Sequence, residues 1–179
     1  GWSQQDIVDY LKYGRSARSN AAGPMAEVVA NSTSHMPKPD LRAIATYLKE
    51  RGSAGTPAPA PVAASDPRMQ AGAAIYGDTC AACHNQAGTG VAQLFPALAG
   101  SAVVQQDDPA TLARIVVTGT RAVATDAAPT APAMPSLGWR LSDTQVAAVL
   151  TYIHNSWGNT APAVAASDVR VIRAKVVAP

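Results

Sequence analysis

Two thiols and one imidazole stand within five consecutive residues of this chain. Cys80 and Cys83 are the only cysteines in the sequence, two alanines separate them, and His84 follows directly. In a C-x-x-C-H motif each thiol can add to one vinyl group of a haem, and the neutral imidazole is a good ligand for its iron. The motif predicts one covalent haem c, held by Cys80 and Cys83 with His84 as an axial ligand. It also indicates redox work outside the cytoplasm.

Other chemistries of the same residues are weaker interpretations. A dithiol redox pair needs a strand before it and a βαβ pattern, and the sequence around Cys80 has neither. A structural zinc site needs two more Cys or His ligands at suitable spacing. The remaining histidines, His35 and His154, are single and distant. A disulfide between Cys80 and Cys83 would close a very small ring, which favours strained or catalytic use.

The second axial ligand is predicted to be a methionine, because a soft thioether favours ferrous iron and raises the potential. The chain has four candidates, Met25, Met36, Met69 and Met134. Met69 precedes the motif on the same predicted helix, which is a poor position for reaching the far face of the haem. Met134 lies in segment 131–136, where prolines stiffen an extended loop that can hold a side chain against a flat cofactor. The alternative is that Met134 only fills a gap in the core.

The surroundings of the motif resemble a class I cytochrome c domain over residues 67–158. Gly72 and an aromatic, Tyr76, stand eight and four residues before Cys80, and segment 142–157 resembles the last helix of that family. The resemblance implies an all-α fold around one haem. It also implies that the segment 94–100 supplies a proline carbonyl, from Pro96, to accept the Nδ1–H of His84.

The elements that must position these residues are helices by pattern. Ser142 is a plausible N-cap, and four apolar residues then follow at helical spacing, Val146, Val149, Leu150 and Ile153, before Gly158 ends the run. Gly72 and Tyr76 on the first helix are expected to cross Val149 and Tyr152 on this last one. A third helix is predicted over residues 109–119, with Leu112, Ile115 and Val116 facing inward.

Residues 1–52 carry helical patterns at Gln4–Tyr13 and 38–51, with the segment 23–29 between them. These features resemble the distal half of the middle haem domain in multihaem cytochrome c subunits of bacterial alcohol, gluconate or aldehyde dehydrogenases. That resemblance implies that Met25, or failing it Met36, corresponds to the axial ligand of a haem whose C-x-x-C-H motif this chain lacks. We therefore expect a fragment that begins inside a domain; the alternative is a self-contained helical cap. A piece this short has little core of its own.

The domain organisation expected from composition has four parts. Residues 1–52 are the partial cytochrome-like segment, residues 53–66 a Pro/Ala-rich linker, residues 67–158 the haem domain and residues 159–179 a tail. The tail is predicted to be a strand-like or extended docking arm, or a frayed terminus.

Charge and hydropathy exclude two classes of function. The net charge of +2 is too small to argue for nucleic-acid binding. No apolar run approaches the roughly 20 residues that a transmembrane helix needs, so any membrane association is expected to be indirect.

The function predicted from these features is electron transfer rather than catalysis. With His84 and Met134 in both axial positions, the iron has no open site for oxygen or substrate. The expected partners are the catalytic subunit of a periplasmic dehydrogenase and, as acceptor, quinone or another cytochrome. The alternatives are a haem enzyme whose Met134 can leave the iron, and a thiol oxidoreductase without haem.

Overall fold

The computed structural model describes residues 1–52 and 59–176. Residues 53–58 of the predicted linker and the last three residues lie outside that description. The chain forms two compact units. The first contains residues 1–52 together with Val91–Pro96 and Thr120–Ala133, and the second contains 59–90, Ala97–Gly119 and 134–176. Two segments of the predicted haem domain group with residues 1–52 in this division, and the domain boundaries expected from composition stay a prediction.

Helices dominate the described residues, as the all-α prediction requires. In chain order they are α1 (Gln4–Tyr13), α2 (Pro24–Asn31), α3 (Lys38–Glu50), α4 (Pro67–Thr79), α5 (Ala81–His84), α6 (Ala110–Thr118), α7 (Asp143–His154) and α8 (Ala166–Val176). A 3₁₀ turn spans Thr33–His35. Two short strands, β1 (Thr120–Arg121) and β2 (Ala133–Met134), pair with each other. None of the described helices is long and apolar enough to cross a bilayer.

The first unit begins with a well-capped helix. The Ser3 hydroxyl accepts the N–H of Asp6, and the Asp6 carboxylate accepts the N–H of Ser3, which satisfies two donors at the start of α1. Helices α1 and α3 then pack through an apolar cluster of buried residues, Val8, Leu11, Leu41 and Ala45. The helical periodicity of residues 1–52 is thus confirmed.

The apolar side chains of residues 1–52 are buried partly by residues from later in the chain. Val8 and Leu41 are buried within the α1–α3 cluster, whereas Leu48 stays 48% exposed. A second cluster joins Val29 of α2 to Val123, which comes from the Thr120–Ala133 segment. The apolar faces of residues 1–52 are therefore covered partly by their own helices and partly by a later stretch of sequence.

In the second unit α4 crosses α7 at Gly72. A Cβ atom at that position would lie 2.2 Å from the carbonyl oxygen of Ala148 and 2.6 Å from the Cβ of Tyr152. The ring of Tyr76 lies one turn further along α4, with its centroid 5.5 Å from that of Tyr152 and 5.0 Å from that of Trp157. The predicted crossing of the first and last haem-domain helices is confirmed, and it needs a residue without a side chain.

Helix α7 starts where predicted and ends earlier. Ser142 and Gln145 form a capping box at its N-terminus. The helix stops at His154 rather than near Gly158, and Asn155 leaves the helical conformation. The amide of Asn155 donates to the carbonyls of Thr151 and Ala161, so a polar side chain holds the returning chain against the helix end.

The C-terminal tail is helical, so the prediction of an extended arm or frayed end is wrong. Val169 of α8 is fully buried, and Ile172 packs on the same cluster, which α6 and α7 also form. The β-branched residues of this segment favour a strand by propensity. Their i, i+3 spacing gives α8 an apolar face, and packing on two helices overrides the propensity.

Candidate haem-binding site

The cysteine motif lies at the junction of α4 and α5, where Cys80 is the single turn residue between the two helices. The N–H of Cys80 donates to the carbonyl of Tyr76 at 2.9 Å, and the N–H of His84 donates to the carbonyl of Cys80 at 3.0 Å. Residues three apart share a helix face, so Cys80 and Cys83 lie on the same side. Both thiols are free. This arrangement suits two thioether bonds to one edge of a porphyrin.

The electrostatics of Cys80 oppose a dithiol redox function. Burial, together with the nearby Cys83, raises the pKa of the Cys80 thiol to about 11. Reactive cysteines need a lowered pKa, because the thiolate is the nucleophile. Cys83 is exposed.

The donor set suits a haem better than a bare metal ion. Within residues 1–52 and 59–176, no three His, Cys, Asp or Glu side chains are gathered in a way that could hold a metal ion. A porphyrin brings four nitrogen ligands of its own, so the protein needs to supply only thiols for attachment and axial ligands. Cys80, Cys83, His84 and Met134 match that smaller requirement, and all four belong to the second unit.

Asn85 ends the motif helix and was not anticipated from the sequence. Its backbone has φ 62° and ψ 158°, a conformation that residues with a side chain rarely adopt. Its side-chain amide donates to the carbonyl of Gly90 at 2.6 Å, and its own carbonyl accepts the hydroxyl of Tyr76 at 2.6 Å. The N–H of Gly90 donates to the carbonyl of His84. These bonds fix the backbone on both sides of His84.

The loop after the motif is packed under Trp157. A Cβ atom on Gly88, which has φ +64°, would lie 2.6 Å from the indole ring. The indole N–H of Trp157 donates to the carbonyl of Gln86 at 3.0 Å. The carbonyl of Gly88 accepts the N–H groups of Leu98 and Ala99. The end of the α7 region is thereby tied to the motif.

Asn159 is a second unanticipated anchor in this unit. Its amide donates to the carbonyls of Leu98 and Ile153, and its side-chain oxygen accepts the N–H of Gly100. Asn159 is buried, so each of these bonds replaces one that water would otherwise make. Pro96 groups with the first unit and His84 with the second. The bond from His84 to the Pro96 carbonyl therefore stays a prediction.

Met134 lies in the second unit at the end of β2, half-buried against the cluster formed by α6, α7 and α8. The residues that follow it are bonded to the end of α6. The N–H groups of Leu137 and Gly138 donate to the carbonyls of Val116 and Val117, and the Ser136 hydroxyl donates to Val117 as well. Three hydrogen bonds thus hold the segment that follows Met134. The assignment of Met134 as the iron ligand stays a prediction.

The other methionines have packing positions. Met69 is buried on α4. Met25 and Met36 are half-buried in the cores of the first unit. The correspondence of Met25 to an axial ligand of a further haem stays a prediction.

The histidines outside the motif have local partners. The ring Nε2 of His35 lies 2.9 Å from the carbonyl oxygen of Ala30. His154 is fully buried, and its Nδ1 lies 2.9 Å from the carbonyl of Pro162. Neither position adds a ligand to the motif.

Comparison with protein families gives one match in this region. The model of the family described as Cytochrome c matches residues 69–157. The match begins on α4 and ends at Trp157, so it contains the motif, Met134 and the α4–α7 crossing.

Curated relatives extend the similarity to almost the whole chain. The chain is 44% identical to the cytochrome c subunit of a quinone-dependent alcohol dehydrogenase from Gluconobacter oxydans, over 96% of this chain and 38% of the relative. It is 40% identical to a gluconate 2-dehydrogenase cytochrome c subunit from Pantoea cypripedii, over 96% of this chain and 41% of the relative. It is 33% identical to the cytochrome subunit of a fructose dehydrogenase from Gluconobacter japonicus, over 97% of this chain and 40% of the relative. The chain thus spans about two fifths of the length of these relatives.

Proposed function

This chain belongs to the cytochrome c family through its domain at residues 69–157, and on that premise we propose that it carries single electrons from a dehydrogenase to a respiratory acceptor. The observation that carries the proposal is the helical turn Cys80–His84, with two free thiols on one face and an imidazole at its end. Electron transfer is the function that this donor set supports best.

Cys80 and Cys83 attach the cofactor in this proposal. Each S–H would add across one vinyl C=C of the haem, with sulfur bonding to one carbon and hydrogen going to the other, so that nothing would leave. The addition needs no oxidant, so two reduced cysteines are the required starting state.

His84 and Met134 would hold the haem iron in this proposal. Bound haem c supplies one-electron exchange between ferric and ferrous iron. The imidazole of His84 and the thioether of Met134 would both bind the iron, and the thioether would favour its ferrous state. With both residues bound to it, the iron would offer no site for substrate, as expected of a carrier rather than an enzyme.

The partners follow from the relatives. The three relatives named above are cytochrome subunits of alcohol, gluconate and fructose dehydrogenases. We therefore assign the electron source to a dehydrogenase catalytic subunit and the acceptor to quinone or another cytochrome. Thioether attachment fits an extracytoplasmic, periplasmic location.

One haem is proposed for this chain. It has a single C-x-x-C-H motif. Residues 1–52, with Met25 in their core, correspond in this proposal to the distal half of a further haem domain. In the longer proteins, a row of haems would then pass electrons onward.

The test is to express the chain in a periplasm equipped for haem attachment. Intact mass after denaturation should show one haem, and the reduced protein should give a low-spin visible spectrum. The double variant Cys80→Ala/Cys83→Ala should lose the haem on denaturation. A wild-type chain of apo mass from the same host contradicts the proposal. A high-spin ferrous spectrum contradicts the carrier function while leaving haem attachment intact.

A further inference from the structure

Arg173 on α8 makes three directed hydrogen bonds to one short stretch of chain. Its Nε donates to the Asp143 carboxylate at 2.7 Å, one Nη to the carbonyl of Gly138 at 2.6 Å, and the other Nη to the carbonyl of Leu141 at 2.8 Å. The side chain is 24% exposed, so the guanidinium is largely enclosed. This geometry uses the rigid fork of arginine, which a lysine ammonium lacks.

The residues that Arg173 binds directly follow the segment that carries Met134. Ser136, Leu137 and Gly138, which come just after Met134, are hydrogen-bonded to the carbonyls at the end of α6. A Cβ atom at Gly138 would lie 2.6 Å from the carbonyl of Val117 and 3.1 Å from the guanidinium of Arg173. Gly138 is therefore enclosed between α6 and the α8 arginine, four residues after Met134.

Helix α8 also contacts the surroundings of Met134 through apolar residues. Val169 is a buried member of the cluster that includes Val116 and Leu150, and Ile172 packs on the same cluster. Met134 packs on that cluster too. One helix thus contributes an apolar surface beneath Met134 and a polar anchor just after it.

We propose that α8 is a positioning element for the axial ligand, and that Arg173 is the positioning residue that holds the Met134 segment in its iron-binding conformation. The inference rests on the proposed function, because it takes Met134 as the iron ligand. The family match ends at residue 157, before α8 begins, so α8 is an addition to the matched domain.

The physical reason is competition at the iron. A thioether is a weak ligand that stays bound only while its segment is held in place. Releasing the Gly138 and Leu141 carbonyls from Arg173 gives that segment more conformational freedom. The state with Met134 bound to the iron then becomes less stable relative to the state with Met134 detached. A small external base such as imidazole then displaces Met134 more readily. A merely structural anchor for α8 would leave this competition unchanged.

The experiment uses the full chain carrying haem and compares Arg173→Ala, Arg173→Lys and Arg170→Ala. Arg170 is the matched control: it is on the same helix, is 76% exposed, and lies 3.7 Å from the same Asp143. The dissociation constant of imidazole for the ferric protein is measured by titration, together with the sulfur–iron absorption band and the reduction potential. Circular dichroism checks that each variant is folded.

We expect Arg173→Ala to bind imidazole about tenfold more tightly than wild type, at the lower end of what outer partners of metal ligands contribute. Its potential should fall, because the thioether favours ferrous iron. Arg173→Lys should lie between Arg173→Ala and wild type, since it keeps the charge and loses the fork. Arg170→Ala should match wild type.

Two failures are distinguishable. A wild-type protein without the sulfur–iron band contradicts Met134 as ligand and with it the proposed function. A wild type with that band, and an Arg173→Ala protein with unchanged imidazole affinity and potential, overturns this inference alone. If Arg173→Ala does not accumulate, Arg173→Lys and Asp143→Asn carry the test. Unchanged affinity and potential in both then overturn the inference.

Discussion

At the scale of single residues, His154 is a fully buried titratable group of the second unit. Its Nδ1 faces the carbonyl of Pro162, which can only accept, so Nδ1 must carry the proton. Within the described residues, Nε2 is buried without a hydrogen-bond partner. Burial lowers the pKa of His154, although the bond to Pro162 works against that shift. A second proton on Nε2 would be an uncompensated buried charge.

The stability of the second unit should therefore fall as the pH drops below about 6.5, the ordinary value for histidine. In that range the unfolded chain takes up a proton that the folded chain resists, so the unfolded state binds more protons and gains stability. The slope is at most about 1.4 kcal/mol per pH unit. Urea unfolding between pH 7.5 and 5 measures it, as the difference between wild type and His154→Asn. Equal slopes in wild type and His154→Asn would contradict the prediction.

Under the proposed function Met134 binds the iron, so replacing it should change the visible spectrum and the reduction potential. We expect Met134→Ala to lose the sulfur–iron band and to lower the potential by roughly 0.2 V, within the ~0.8 V range that axial ligands span. Met69→Ala is the control, because Met69 is buried on α4 in the same unit. That control should lose stability and keep the band. An unchanged band in Met134→Ala would move the assignment to another methionine.

At the scale of elements, the α4–α7 crossing is the contact that brings the motif helix against the last helix of the matched domain. Gly72 permits it, because the nearest atom to an added Cβ is the backbone oxygen of Ala148. A backbone atom cannot turn aside as a flexible side chain can.

A methyl group at Gly72 should therefore cost stability. We expect Gly72→Ala to lower the free energy of unfolding by about 1–3 kcal/mol through overpacking. The matched control is Gly77→Ala on the same helix, where an added Cβ would meet nothing closer than 4.0 Å. Alanine is the better helix former by up to about 1 kcal/mol, so the control should be neutral or stabilising. Thermal unfolding of both variants decides: equal melting temperatures would refute the close contact.

The sequence predicts elements best where the signal is local. Ser142 and the spacing of Val146 and Val149 define α7, and both its N-cap and its buried face are observed. The early end of α7 depends on Asn155 reaching Ala161, and the helical state of α8 depends on Val169 meeting α6 and α7. These are tertiary contacts, and the hydrophobic periodicity of the sequence does not predict them.

Some residues of the candidate site could be predicted from the sequence, and others could not. Cys80, Cys83 and His84 are recognisable because the chemistry requires those types at that spacing. Asn85 and Arg173 act through backbone carbonyls, whose positions exist only in the folded chain. An asparagine after the motif is at most a weak signal that the helix ends there. An arginine in a tail has no local signal.

At the scale of the molecule, Arg15 connects three segments of the first unit that are far apart in sequence. The residue is buried, and its guanidinium donates to the carbonyls of Gln93, Ala128 and Thr130. Those acceptors lie in the two segments that join residues 1–52. One cation thus binds the loops 91–96 and 120–133 to the N-terminal helices.

Removing this cation should loosen both loops together. In Arg15→Ala we expect faster amide exchange over residues 91–96 and 120–133, because the carbonyls lose partners at a cost of about 1–3 kcal/mol each. Exchange in α4 and α7 should be unaffected. The control Arg18→Ala removes an exposed arginine nearby. Hydrogen-exchange mass spectrometry on the full chain makes the comparison, and wild-type protection of both loops in Arg15→Ala would refute the link.

The packing around Cys80 has a consequence for the order of assembly. Cys80 is covered by the cluster that contains Val149 and Ile153 of α7, and Trp157 closes on Gln86 from 71 positions away in sequence. Loop closure over such a distance is slow relative to the formation of one helical turn. The motif is therefore exposed during an interval before α7 arrives. Under the proposed function, Cys80 would react in that interval, so thioether formation would compete in time with the docking of α7. A variant that docks α7 faster would trap more apo chain, even though its native state would be more stable.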